Sequence, residues 1–195
     1  MGLTKLNPDD ALLIVDVQND FLPGGSLPVP RGDEVVPVLR RYLALFEEHH
    51  LPIFASRDWH PPNHCSFRER GGPWPPHCIA GTPGADIARD LALPPTTILV
   101  NKAETPHKDA YSAFEGTSLD HLLRTRGVRR LFVGGLATDY CVLNTVRDAL
   151  SRGYAVVVLA DAIRAVNARP DDGVKAEAEM QRLGARLTCF EDVAT

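Results

Sequence analysis

Cysteine is scarce in this chain, with four residues among 195. That is too few for a disulfide scaffold, so a reduced compartment is the simpler reading. Long apolar runs are missing too. The longest, Tyr154 to Ala160, falls far short of the roughly 20 residues that cross a bilayer, so no membrane partner is expected. No basic run stands out and the net charge is −4, which argues against a nucleic-acid partner. The opening MGLTKLNPDD has no apolar h-region and is not read as a secretory signal. Gly2 follows Met1, but Leu6 leaves the myristoylation pattern incomplete. Internal repeats and low-complexity tracts are lacking as well. What is there is ordinary globular material, 44% hydrophobic and 24% charged, which argues against disorder. The length suits one domain with a sizeable core. The expectation is a soluble, cytoplasmic, single-domain protein covering 1–195.

Short apolar runs alternate with longer amphipathic ones. Ala11 to Val17, Pro52 to Ser56, Thr96 to Val100, Arg130 to Gly135, Ala155 to Ala160 and Ala185 to Phe190 are six candidate strands. Several lack polar alternation, as parallel strands covered on both faces do. Between them, Asp33 to His50 places Val35, Val36, Leu39, Leu43 and Phe46 at helical spacing. Thr117-Ser118-Leu119-Asp120 reads as a capping-box-like start for a helix through Arg126, stopped at Gly127. Cys141 to Arg152 and Asp172 to Leu183, each followed by glycine, are the third and fourth helices. This alternation predicts an α/β domain: a six-stranded, mostly parallel sheet with helices on both faces. The stretch 56–83 breaks the rhythm. It is rich in Pro, Gly, His and Trp, and a long irregular loop in a compact domain is usually functional.

In an open parallel sheet, ligands sit beyond the carboxyl ends of the strands. Asp16 closes the first strand inside an apolar run. It is either a turn-capping carboxylate or a desolvated one with a raised pKa, suited to proton transfer. Lys102 closes the third strand and, alone, would be an ordinary solvated lysine. Cys141 follows GGLATDY and is expected to open a helix, where the dipole and free N–H groups favour a thiolate; the alternative is an inert buried cysteine. Together the three form a candidate nucleophile–base–stabiliser set. The loop supplies a second cluster. Asp58, His60 and His77 offer two imidazoles and a carboxylate, a set with open positions that suits Zn, Fe or Mn. His64 and Glu69 are candidates for a fourth ligand. A closed structural zinc made from Cys65, Cys78 and two histidines competes, although its spacing lacks paired C-x-x-C, and a loop that binds nothing stays open.

The segments DVQNDF (16–21), SRDWHPPNH (56–64), WPPHCIAGTPGA (74–85), NKAETPHKDAYSAFEGT (101–117) and GLATDYCV (135–142) resemble the nicotinamidase/pyrazinamidase group of the isochorismatase-like cysteine hydrolases. The resemblance runs in order from about Leu12 to Leu187. It implies a three-layer α/β/α fold and Cys141 as nucleophile, with Asp16 as its proton acceptor and Lys102 as the third member of the triad. It also implies a cis peptide at Leu136–Ala137, with the amides of Ala137 and Cys141 turned toward an oxyanion. Asp58, His60 and His77 match the group's metal ligands, which implies one divalent ion, zinc ahead of iron or manganese. Phe21, Trp74 and Tyr111 match aromatic positions around a ring pocket. Cys65 and Cys78 receive no role.

The activity implied is hydrolysis of nicotinamide to nicotinate and ammonia, with pyrazinamide as a second substrate. Other hydrolases of the superfamily, acting on carbamoyl or ureido compounds, resemble the triad but lack the Asp58/His60/His77 loop. Isochorismatase itself is disfavoured by the presence of Cys141. A non-catalytic metal-binding module is the alternative of another class; such a module has no reason to keep Cys141 reactive toward iodoacetamide at neutral pH. No helix face is apolar enough to name as an interface, so a homo-oligomer is left open.

Overall fold

The computed structural model describes residues 3–194. In chain order its strands are β1 (Thr4–Lys5), β2 (Asp10–Val15), β3 (Ile53–Asp58), β4 (Ile98–Lys102), β5 (Arg130–Leu136), β6 (Ala155–Arg164), β7 (Arg186–Thr188) and β8 (Val193–Ala194). The helices are α1 (Val35–Glu48), α2 (Leu119–Arg124), α3 (Leu143–Ser151) and α4 (Asp172–Arg182). Six strands form one sheet in the order β4-β3-β2-β5-β6-β7, every neighbouring pair parallel. β1 and β8 pair separately, tying the two ends of the described chain together.

All six expected strands are present, because a strand covered on both faces needs apolar residues at every position. In β2 the whole run Asp10–Val15 is buried. Leu12 and Ile14 face one core with Leu39, Tyr42 and Phe46 of α1. Leu13 and Val15 face a second core with Leu119 and Leu123 of α2, Val146 of α3 and Met180 of α4. Each such side chain contributes about 1.5–3 kcal/mol on burial, so a one-residue slip of register would forfeit both layers. The helices thus cover both faces of the sheet.

Several boundaries move, and most of the moves matter for chemistry. β3 and β4 run on to Asp58 and Lys102, carrying both side chains to the sheet's carboxyl edge. β2 instead stops at Val15, because Asp16 turns into the left-handed region at φ 48°. β6 continues past Ala160 to Arg164, whereas the last strand is shorter than the run Ala185 to Phe190. The capping box at Thr117 does not form: the Thr117 hydroxyl donates to the Ala113 carbonyl and accepts from the Leu119 N–H, while Asp120 holds Arg124 and Tyr154. Cys141 does not open an α-helix either. It lies in a π-helical turn, Thr138–Val142, that leads into α3.

Strand order reverses between β2 and β5, and the two approach closely there. Gly135 pairs with Val15 at φ 126°, and a Cβ on it would collide with the Val15 carbonyl oxygen. Only glycine combines that backbone conformation with that proximity. Among the described residues no helix is long and apolar enough to cross a membrane.

Candidate active site

Four chain segments deliver their polar side chains to the carboxyl edge of β2–β5. Lys102, 1% exposed, is the hub. Its Nζ lies 3.0 Å from Asp16 Oδ2 and 2.5 Å from Asp58 Oδ1, donates to the Ala110 carbonyl at 2.9 Å, and sits 3.6 Å from Cys141 Sγ. Burial alone would depress the ammonium, but Asp16 and Asp58 outweigh it and hold its pKa well above the ordinary lysine value. Asp16 is fully buried, which raises its pKa against the opposing pull of Lys102. The Ser56 hydroxyl donates to its Oδ1 at 2.7 Å, leaving Oδ2 toward the lysine and the thiol.

Cys141 does not sit as a ready thiolate. Its thiol is buried, and desolvation reinforced by Asp16 and Asp58 raises its pKa well above the ordinary thiol value despite Lys102. The expectation of a dipole-stabilised thiolate therefore fails, because the site places two carboxylates and a low-dielectric wall around the sulfur. A thiol held neutral beside a carboxylate can serve as a nucleophile only if its proton is transferred as it attacks. The Leu136–Ala137 peptide is cis, as the resemblance implied. The Ala137 N–H donates to no backbone group among the described residues outside the helices and strands.

The second cluster forms beside the first. One ligand atom from each of Asp58, His60 and His77 lies within 4.8 Å of the other two, and all three residues are buried. Asp58 Oδ2 is 3.7 Å from His60 Nε2. The Nδ1 of His77 faces the Pro75 carbonyl at 2.8 Å and that of His60 faces Ala103 at 3.4 Å. Each ring thus sets its Nδ1 against a backbone carbonyl and leaves Nε2 for a ligand, the arrangement metal-ligating histidines use. Burial, with His77, His64 and Lys102 nearby, pushes the His60 pKa down to about 3, so the ring is neutral. The donor chemistry therefore fits a divalent ion.

His64 stays outside this group. It stacks on His60 with ring centroids 4.1 Å apart, and both its nitrogens are engaged, with the Ser66 hydroxyl and the Lys108 carbonyl. Glu69 is exposed on a separate 3-10 turn. Neither cysteine joins either: Cys65 lies apart, and Cys78 packs into the apolar core, its thiol pushed up by burial.

Between the clusters opens a pocket of about 400 Å³, counting its mouth. Cys141, Ala137, Asp58 and His77 all line it. Phe21, Trp74 and Tyr111 line it, joined by Tyr140. Trp74 Nε1–H donates to the Tyr111 hydroxyl at 3.0 Å and packs edge-on against Tyr140, with centroids 5.2 Å apart. Leu27, Val29 and Val166 complete the wall. Sequence reasoning passed over these three, along with Tyr140, Ser56 and Gln18. Tyr140 stands directly before Cys141 and was within reach of the motif; the aliphatic wall carries no local signal.

The family profile described as Isochorismatase domain matches residues 10–192. The chain is 41% identical over 206 residues to the nicotinamidase of Escherichia coli (strain K12), covering 95% of this chain and 97% of that protein. The pyrazinamidase of Pyrococcus horikoshii in complex with zinc superposes with a TM-score of 0.90 at 48% identity, over 94% of this chain and all of that one. The PnC1 protein of L. infantum in complex with nicotinate does so with a TM-score of 0.89 at 36% identity, over 100% of this chain and 99% of that one. From its strand order to its matched length, this chain belongs to the isochorismatase family.

Proposed function

We propose that this protein is a nicotinamidase that also accepts pyrazinamide, a metal-assisted cysteine amidohydrolase acting as one unit over 1–195 in the cytoplasm. The observation that carries the reading is the position of Lys102. One buried ammonium touches the base, the nucleophile and a member of the metal trio, so the two clusters form a single site. The similarity to the Escherichia coli nicotinamidase supports the substrate, and the zinc complex of the Pyrococcus protein supports the metal.

The geometry supports the following residue roles. The aromatic pocket takes the flat pyridine ring and directs the carboxamide toward Cys141. Asp16 accepts the thiol proton as sulfur attacks the carbonyl carbon. The oxyanion that develops is met by the backbone N–H groups of Ala137 and Cys141, which require no reorganisation. Asp16 then returns the proton to the amide nitrogen, the C–N bond breaks and ammonia leaves, giving a thioester. Water, deprotonated by Asp16, attacks the thioester; the C–S bond breaks, nicotinate is released and Cys141 is reprotonated. Lys102 keeps Asp16 ionised in a site where burial would neutralise it. Asp58, His60 and His77 would hold a divalent ion, zinc by likeness to the Pyrococcus complex, and that ion would supply a Lewis-acid anchor for the ring nitrogen.

The test is ammonia release from nicotinamide by the purified protein, with and without chelator, alongside metal content. Metal-dependent release is expected. No release from metal-loaded protein, with turnover of a carbamoyl or ureido compound, would replace this reading.

A further inference from the structure

The segment between the base and the pocket, Val17 to Phe21, holds two buried polar side chains that neither line the pocket nor belong to the ligand groups: Gln18 and Asp20. Their side-chain hydrogen bonds all run to backbone, and those to Asp58 and Cys78 reach the backbone on which the metal trio is built. β2 and β3 pair up to Val15 and Ser56. At Asp16 the chain turns away, so beyond that point Asp58 would lose its strand neighbour on that side. The Gln18 amide stands in for it. Gln18 Oε1 accepts from the Asp58 N–H at 2.8 Å, and Nε2 donates to the Asp58 carbonyl at 2.8 Å and to the Ala85 carbonyl at 2.9 Å. A side-chain amide offers both donor and acceptor, as a peptide group does. Glutamate would keep the acceptor and lose both donations.

Asp20 does the equivalent for the other half. Its Oδ2 accepts from the Cys78 N–H at 2.7 Å, fixing the residue after His77 in a left-handed conformation at φ 47°. The Cys78 carbonyl in turn accepts from the His60 N–H at 3.0 Å. Oδ1 accepts from the Ser26 N–H at 3.1 Å, closing the loop that presents Leu27 and Val29 to the pocket. Gly84 packs so closely on this carboxylate that a Cβ there would collide with it.

We propose that Gln18 and Asp20 are positioning residues for the metal trio, Gln18 through Asp58 and Asp20 through His77 and His60. The proposal rests on reading Asp58, His60 and His77 as the metal ligands. One short segment then holds the base at Asp16 and both halves of the metal site in register. Because the two residues act through backbone carried by the ligands, their loss weakens metal binding without removing a ligand, as outer-shell changes do elsewhere, by about 10- to 100-fold.

The experiment is competition for Zn²⁺ between apo-protein and a chromophoric chelator, for wild type, Gln18→Glu, Asp20→Asn, His60→Ala and Leu123→Ala. Leu123 is buried in the opposite core, so its variant reports general destabilisation. The expected result is a zinc Kd raised about tenfold or more in Gln18→Glu and Asp20→Asn, zinc binding lost in His60→Ala, and a lowered Tm with wild-type affinity in Leu123→Ala. Asp20→Asn also raises KM for nicotinamide at saturating zinc, through the loosened Leu27–Val29 wall, whereas Gln18→Glu does not. Wild-type zinc affinity in the folded Gln18 and Asp20 variants, with His60→Ala defective, would overturn the inference alone. Wild-type affinity in His60→Ala would overturn the ligand assignment and the inference together. Should Gln18→Glu fail to fold, Asp20→Asn decides.

Discussion

Replacing Lys102 by methionine removes one positive charge from a site that holds two buried carboxylates, while keeping the volume of the side chain. In wild type the ammonium is 3.0 Å from Asp16 and 2.5 Å from Asp58, with all three side chains at most 6% exposed. Deleting one partner of a buried pair leaves the other charge uncompensated and costs about 3–5 kcal/mol. For a domain of this size, each kcal/mol lowers Tm by about 2–4 °C, so the loss at neutral pH is about 6–20 °C. The pH dependence carries the sign. Asp16 is already raised above 3.8 by burial, and Lys102 is the strongest influence holding it down, so the variant raises it further. A carboxyl with a raised native pKa favours folding when protonated. Its contribution is complete below the unfolded value and disappears as pH rises through the native one. Lys102→Met is therefore expected to approach wild-type stability in acid and fall away from it toward neutrality. Thermal unfolding by circular dichroism, in chelator, across that range measures this. A Tm loss that is equal at every pH, or smaller than about 2 °C at pH 7, would show that the ammonium does not compensate these carboxylates.

Cys141→Ala should abolish ammonia release from nicotinamide while metal content stays near wild type, since Cys141 is outside the Asp58/His60/His77 group; activity assay and metal analysis on one sample check both. Gly135→Ala forces a Cβ against the Val15 carbonyl at φ 126°. It should cost at least about 1–3 kcal/mol in denaturant unfolding and lower kcat, because Asp16 and Ala137 flank that contact. Trp74→Phe removes the hydrogen bond to Tyr111 but keeps an aromatic ring. A typical net hydrogen bond of about 0.5–1.5 kcal/mol translates into a KM about two- to tenfold higher, with kcat little changed; steady-state kinetics with nicotinamide tests the split.

The architecture was legible because burial on both faces writes itself into a strand as an unbroken apolar run, as in Ala11–Val15, and helix faces write themselves at 3.6-residue spacing, as in Val35–Phe46. The candidate residues were legible because Asp16 and Lys102 close apolar runs, Cys141 follows the turn GGLATDY, and Asp58, His60 and His77 crowd a stretch without periodicity. Boundaries were less so. β2 ends where Asp16 turns into the left-handed region, and the strand end there packs against Gly135 of a strand more than a hundred residues away, which no local window contains.

The sequence by itself therefore determined the layer order, the six strands of the main sheet and the identity of the polar groups available at its carboxyl edge, since these depend on residue type and local period; the small β1–β8 pair was not legible. Only the tertiary structure decided the protonation balance among them. Cys141 looked like a dipole-stabilised thiol and is a buried one flanked by carboxylates; Lys102 looked solvated and is the charge that holds the site together. Both reversals arise from desolvation and from partners distant in sequence, 86 residues apart for Asp16 and Lys102 and 44 for Asp58 and Lys102. Such quantities exist only once the chain has closed around them.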